Sequence, residues 1–225
     1  QRELGAILYE ALLPASGDFL QAMRDSFPGQ NAAGVRAGLD RLSGPIHAWA
    51  PIAVSEISLQ GGRQAARGLA DAREGASVWG GAVYSTLEVD ASGGAVGADV
   101  DTQGALFGIN AVINDHVRGG VFGGYVSSEG GDQAGGGVET DGWIGGVQAR
   151  ASFANGFSLG AQVGYVSQTA DTSRRIAIGA LSRTASASYD IEGWFAALDA
   201  ALLFGDGAWR YGPFIEASVG GYEAD

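Results

Sequence analysis

The second half of the chain alternates apolar residues with small or polar ones at a period of two. In F-S-L-G-A-Q-V-G-Y, which begins at Phe157, Leu159 and Tyr165 share one side and Gln162 lies on the other. This period predicts a β-strand, because successive side chains of a strand point to opposite faces. The segments W-I-G-G-V-Q-A and W-F-A-A-L-D-A alternate in the same way. We therefore predict a sheet with one apolar face.

Seven strands are predicted from this period. They lie at residues 76–89, 101–113, 117–127, 140–153, 157–171, 186–204 and 209–222. Minimal turns are predicted at Asn114-Asp115, Asn155-Gly156 and Gly205-Asp206-Gly207, of which Asn-Gly is the strongest hairpin signal. Polar segments near 90–100, 130–139 and 172–185 predict long loops at the opposite ends. Short turns at one end and long loops at the other are typical of an outer-membrane barrel, whereas a soluble sandwich scatters its loop lengths.

The first part of the chain has helical spacing instead. Apolar residues recur every three or four positions before residue 45, interrupted at Pro14 and Pro28, which predicts three short helices. A longer helix is predicted after Pro51, although Gly61 and Gly62 each lower its propensity by about 1 kcal/mol. We therefore divide the chain into a helical segment, 1–74, and a strand segment, 75–225.

The phase of each strand predicts what its side chains contact. The apolar phase, expected to face lipid, contains Phe107, Trp143, Phe157, Leu159, Tyr165, Trp194 and Leu198. The opposite phase, expected to line a hydrated lumen, contains Asn110, Arg118, Gln148, Arg150, Gln162, Asp199, Arg210 and Glu216. Arg or Lys on the lipid face at mid-depth costs about 2–4 kcal/mol, so the phase is physically enforced. The alternative is a soluble sheet with its polar face in water.

Composition agrees with a lipid-facing surface. The 225 residues include 39 Gly, and only 17% are charged while 46% are hydrophobic. Because no apolar run is long enough for a transmembrane helix, a closed barrel is the remaining way to span a bilayer. The net charge of −12 argues against nucleic-acid binding, which needs basic patches. The absence of Cys excludes disulfides and thiolate metal sites.

The sequence offers little for catalysis. The segment G-F-S-L-G, which contains Ser158, matches G-x-S-x-G, but it opens a strand rather than a strand–turn–helix unit. His47 and His116 have no partner at the spacing of metal ligands. We therefore predict no enzymatic activity, no metal and no cofactor.

The strand segment resembles the autotransporter β-domain, the translocator of type V secretion. The resemblance rests on A-S-V-W-G-G-A-V-Y-S, D-V-D-T-Q-G-A-L-F-G-I-N-A, V-R-G-G-V-F-G-G-Y-V-S-S and D-G-W-I-G-G-V-Q-A. It implies a twelve-stranded barrel in the outer membrane of a Gram-negative bacterium, which exports or displays a covalently linked N-terminal passenger. It also implies a linker helix in the lumen. Residues 60–74 suit that helix, with Arg63, Arg67 and Arg73 facing acids such as Asp199 or Glu216.

The resemblance further implies three kinds of partner: outer-membrane lipid, periplasmic chaperones and the barrel assembly machinery. Because seven strands are fewer than twelve, we expect a barrel truncated on its C-terminal side, with an open edge. Two alternatives stay open. One is a different outer-membrane barrel of the porin or adhesion type, and the other is a soluble β-rich domain.

Overall fold

One helix and seven strands make up the part of the chain that a computed structural model describes, namely residues 46–70, 75–91, 96–133, 135–178, 181–205 and 211–225. The helix is α1 (Ile46–Ala70). The strands are β1 (Ala76–Val89), β2 (Ala98–Val112), β3 (Val117–Asp132), β4 (Gly136–Ser152), β5 (Phe157–Ile178), β6 (Leu181–Leu202) and β7 (Phe214–Ala224). The short helices predicted before residue 45 lie outside the described residues.

The seven strands form one antiparallel sheet in the order β1 to β7. Each strand pairs with its sequence neighbours, as Gln148 of β4 does with Gln162 of β5. This confirms the predicted class, an antiparallel β-sheet preceded by a helix. Within the described residues, β1 and β7 are the edges of the sheet. α1 ends at Ala70 and β1 begins at Ala76. Because residues 71–74 lie outside the described residues, the division between residues 74 and 75 stays a prediction.

The hairpin between β4 and β5 turns where the sequence predicts. Gly156 has a φ of 83°, a left-handed conformation that glycine adopts without a steric penalty. Its N–H donates to the carbonyl of Phe153 at 3.0 Å, and the Asn155 side chain accepts from the N–H of Phe157 at 3.1 Å. The turn therefore spans residues 153–156 rather than two residues.

Two of the three predicted long loops are wrong. β3 continues to Asp132 and β4 begins at Gly136, while β5 continues to Ile178 and β6 begins at Leu181. Strand therefore replaces most of residues 130–139 and 172–185. The physical reason is cross-strand pairing, for example between Arg174 and Ala185. Most serine, threonine and arginine side chains of these extensions are exposed on the sheet, so polarity does not end a strand. The long connection between β1 and β2 is confirmed.

Helix α1 packs against all seven strands, so the sheet curves around it. We call the face that contacts α1 the inner face and the opposite one the outer face. The helix starts before Pro51, although the sequence predicts it only after that residue. Burial explains the difference, because Ile46, Ala50 and Val54 on its first turns are almost fully buried against the sheet. The free energy of that packing offsets the loss of the backbone hydrogen bond that proline removes.

The apolar core lies between the first half of α1 and the middle of the sheet. Val54 and Ile57 of the helix are completely buried. They belong to one cluster with Leu106, Phe122, Val126, Ile144, Val166, Ile191 and Phe195 from the inner face. The 25-residue helix is about 37 Å long at 1.5 Å per residue. Among the described residues, no helix has the length and hydrophobicity that crossing a membrane requires.

Glycines allow the second half of α1 to approach the sheet. A Cβ on Gly61 would lie 2.6 Å from Ile144 Cδ1, and one on Gly62 would lie 2.5 Å from Gln162 Nε2. A Cβ on Gly68 would lie 2.5 Å from the Trp79 indole. The helix is continuous through Gly61 and Gly62 because tertiary packing outweighs their low propensity.

Candidate functional site

The outer face exposes an apolar band. The seven residues predicted to face lipid all lie on this face, with 37% to 65% of each side chain exposed: Phe107, Trp143, Phe157, Leu159, Tyr165, Trp194 and Leu198. Along β5 the band runs from Phe157 to Tyr165. Nine residues are the length with which a tilted strand crosses a hydrocarbon core of about 30 Å. Contact with lipid stays a prediction for the individual residues.

Tyrosines and acids mark one boundary of this band. Tyr125 donates a hydrogen bond to Asp141, and Tyr165 donates to Glu192 at 2.6 Å. Thr169 donates to Asp190 at 3.0 Å slightly farther along. A ring on the apolar side and a hydroxyl on the polar side are what tyrosine offers at a membrane interface. The hydrogen bonds therefore place the change from apolar to charged surface at the same level on several strands.

The inner face carries seven of the eight residues predicted to line a lumen. They are Asn110, Arg118, Gln148, Arg150, Gln162, Asp199 and Glu216, and the eighth, Arg210, lies outside the described residues. Asn110 and Gln148 are buried beneath α1. Arg63 and Arg67 lie on α1, whereas Arg73 is outside the described residues. A water-filled lumen at this face stays a prediction.

Side chains of the sheet hold the C-terminal end of α1. Asn110 Nδ2 donates to the carbonyl of Gly68 at 2.8 Å, and an Arg118 guanidinium nitrogen donates to the carbonyl of Ala70 at 3.2 Å. The last carbonyls of a helix have no partner within the helix and carry partial negative charge. Two residues of the inner face therefore bind carbonyls of the last turn of the helix.

Two ion pairs lie near the same end of α1. Arg63 meets Glu216 at 3.2 Å, which joins the helix to β7. Arg150 meets Asp199 at 2.6 Å, which joins β4 to β6 across β5. The resemblance implies that helix arginines face acids such as Asp199 or Glu216; Arg63 pairs with Glu216, and Asp199 pairs with Arg150 of β4. Arg67 lines a cavity of about 410 Å³ between these two pairs.

Replacing Arg150 with Ala is expected to cost more stability than replacing Arg63 with Ala. The Arg150–Asp199 side chains are 19% and 15% exposed, against 44% and 22% for Arg63–Glu216. Removing Arg150 leaves a mostly buried carboxylate unpaired, for which we expect a loss of about 1 kcal/mol beyond the few tenths of an exposed pair. Urea midpoints of the intact protein refolded in detergent micelles measure the difference, and equal midpoints would contradict it.

Other contacts of α1 have no clear signal in the sequence. Glu56 accepts hydrogen bonds from Ser85 of β1 at 2.8 Å and from Gln60 at 2.7 Å. The hydroxyl of Thr172 lies 3.2 Å from His47 Nδ1 at the start of the helix. Glu56 and His47 stand out only as polar residues in an apolar stretch. Their partners on the inner face depend on how far α1 extends along the sheet, which a sequence pattern does not specify.

Comparisons with known proteins identify the family. The family model for the autotransporter beta-domain matches residues 78–225, which is more than half of the chain. No curated protein matches the sequence.

Two solved structures share the fold. The translocator domain of autotransporter NalP from Neisseria meningitidis is 14% identical with a TM-score of 0.62, and the match covers 78% of this chain and 60% of that one. The beta domain of the Bordetella autotransporter BrkA is 17% identical with a TM-score of 0.55, covering 67% and 59%. The chain thus spans about three fifths of the length of each. At these identities the likeness concerns the fold alone, and the family model carries the assignment. The chain therefore belongs to the autotransporter β-domain family, whose members are outer-membrane barrels of Gram-negative bacteria.

Proposed function

We propose that this domain anchors in the outer membrane and exports or displays a passenger that is covalently linked upstream of Ile46. One observation carries the proposal: α1 is enclosed by the inner face of a sheet whose outer face is an exposed apolar band. Such a sheet is suited to lipid outside and to a polypeptide inside. This arrangement favours a translocator over a porin, which needs an open channel, and over a soluble domain.

The direction of the chain supports the proposal. The start of α1 lies at the end of the sheet where β5 extends farthest, since His47 contacts Thr172. The end of α1 lies beside Arg118 at the start of β3, where the chain enters β1. With the extended strand ends outside the cell, the start of α1 lies at the cell-surface end of the domain. A passenger attached there is displayed without any further crossing of the membrane.

The partners in this proposal follow from the surfaces and from the family. Outer-membrane lipid covers the outer face, because an exposed apolar band of this size is unstable in water. The unpaired edges of β1 and β7 in the described sheet are prone to pair with other chains. Periplasmic chaperones and the barrel assembly machinery are the partners that the family offers to protect such edges before insertion.

We infer that the domain has no catalytic role. Ser158 of the G-x-S-x-G segment is buried on the inner face of β5. A nucleophile elbow instead exposes its serine on a sharp turn between a strand and a helix. Translocator domains of this family are transport domains, which agrees with this inference.

An epitope upstream of the helix tests the function. The intact protein, with an epitope inserted after Gln30 and another in the β2–β3 turn after Asp115, is expressed in Gram-negative cells. Antibody is expected to bind the first epitope on intact cells and the second only after the outer membrane is opened, because the two lie on opposite sides. Binding of both epitopes only in opened cells would contradict surface display.

A further inference from the structure

Four polar side chains on the inner face of β4 and β5 have atoms without a hydrogen-bond partner. They are Thr140, Gln148, Gln162 and Gln168, whose unpartnered atoms are all buried. Thr140, Gln148 and Gln168 are only 1%, 6% and 2% exposed. Gln168 lacks partners at both its amide oxygen and its amide nitrogen. Because a buried polar atom without a partner destabilises a fold, such atoms are rare and need an explanation.

Helix α1 does not supply the missing partners, for a reason that follows from its conformation. The N–H and C=O groups in the middle of a helix bond to each other, so only side chains can reach a neighbouring wall. Beside Ile144 and Gln162 the helix has Gly61 and Gly62, which have no side chain to offer. Ser58 donates its hydroxyl to the carbonyl of Val54 within the helix. The resting helix therefore presents hydrocarbon to these polar groups.

The four side chains follow the axis of the inner face. Gln148 and Gln162 are directly opposite each other in the β4–β5 ladder. Gln168 is six residues farther along β5, a separation of about 20 Å, and Thr140 lies beside it on β4, paired with Ala170. Such a length is about two thirds of the hydrocarbon core. We call these four residues the polar track.

We propose that the polar track is a binding site for the backbone of an extended polypeptide in transit through the domain. This inference rests on the proposed function, export of a passenger. An extended chain has the free N–H and C=O groups that a helix lacks. A glutamine amide offers both a donor and an acceptor, so it matches a peptide group whatever the passenger sequence. The inner face thus binds two segments in turn, the passing chain during export and α1 afterwards.

The double substitution Thr140→Val with Gln168→Leu tests the track in the intact protein. Both changes keep the approximate shape of the side chain and remove its polar atoms. Since those atoms have no partner in the resting state, the thermal midpoint of the inserted protein is expected to stay the same or rise. The export rate of the passenger is measured by pulse labelling and digestion with protease at the cell surface. This rate is expected to fall by at least about five-fold, because passing peptide groups lose their partners.

Thr102→Val is the matched control. Thr102 lies in the same inner-face row as Thr140, next to Ser128, but its hydroxyl is bonded to Ser128 at 2.8 Å. This variant is expected to lower the midpoint and to leave the export rate unchanged. Unchanged export in the double variant would overturn the track, and so would a fall in its midpoint equal to that of the control. Absence of export in the unaltered protein would overturn the proposed function together with the track.

Discussion

Replacing Leu159 with Arg is expected to abolish stable insertion into a bilayer. Leu159 is 47% exposed on the outer face of β5, within the apolar band that runs from Phe157 to Tyr165. A guanidinium at this depth must lose its hydration or deform the bilayer, which costs about 2–4 kcal/mol in a transmembrane barrel. A loss of that size is comparable with a large part of the stability of a small domain. Insertion is measured as the fraction of the intact protein protected from protease after refolding into lipid vesicles.

A matched control separates the position of the charge from the charge itself. Ala154→Arg adds the same charge at an exposed residue of the β4–β5 turn, beyond the end of the apolar band. This variant is expected to insert as well as the unaltered protein does. If Leu159→Arg also inserted normally, the outer face at Leu159 would not contact lipid.

Alternation along the chain predicts most of the sheet because it reports a local property. The prediction for the first strand, residues 76–89, coincides with β1 (Ala76–Val89), and the two phases of β5 separate its exposed and covered side chains. Strand ends are predicted poorly where polar residues continue the ladder. The extension of β5 beyond Asp171 depends on pairing with residues 181–187 of β6, and no local pattern indicates the partner strand.

The contacts between α1 and the inner face could not be predicted from the sequence. Strand phase places Asp199 on the inner face, but the choice between Arg150 and a helix arginine depends on the depth and rotation of α1. Gly61 and Gly62 show the limit most clearly. Local propensity treats them as weak points of a helix, whereas their small size is what allows close packing on Ile144 and Gln162. A glycine pair in an otherwise helical segment is thus compatible with either a break or a contact.

Gly68→Ala is expected to destabilise the domain although it stabilises the isolated helix. In a peptide covering residues 46–70, Ala favours helix over Gly by about 1 kcal/mol. In the folded protein the added Cβ would lie 2.5 Å from two ring atoms of Trp79. The same indole packs over Gly108 on β2, so a shift of the ring away from the helix disturbs its packing on the sheet. Overpacking of this kind costs about 1–3 kcal/mol, and we expect it to outweigh the gain in propensity.

Gly68→Ala is thus expected to raise the helicity of the peptide and to lower the stability of the protein. Circular dichroism measures helicity in the peptide, and the urea midpoint measures stability of the micelle-refolded protein. Ser55→Ala, at an exposed helix position, improves propensity without a new contact and is expected to raise both quantities. Adding Trp79→Leu to Gly68→Ala is expected to recover part of the loss, because two residues in contact are energetically coupled. A gain of stability from Gly68→Ala equal to that from Ser55→Ala would show that Trp79 does not hold the helix at this depth.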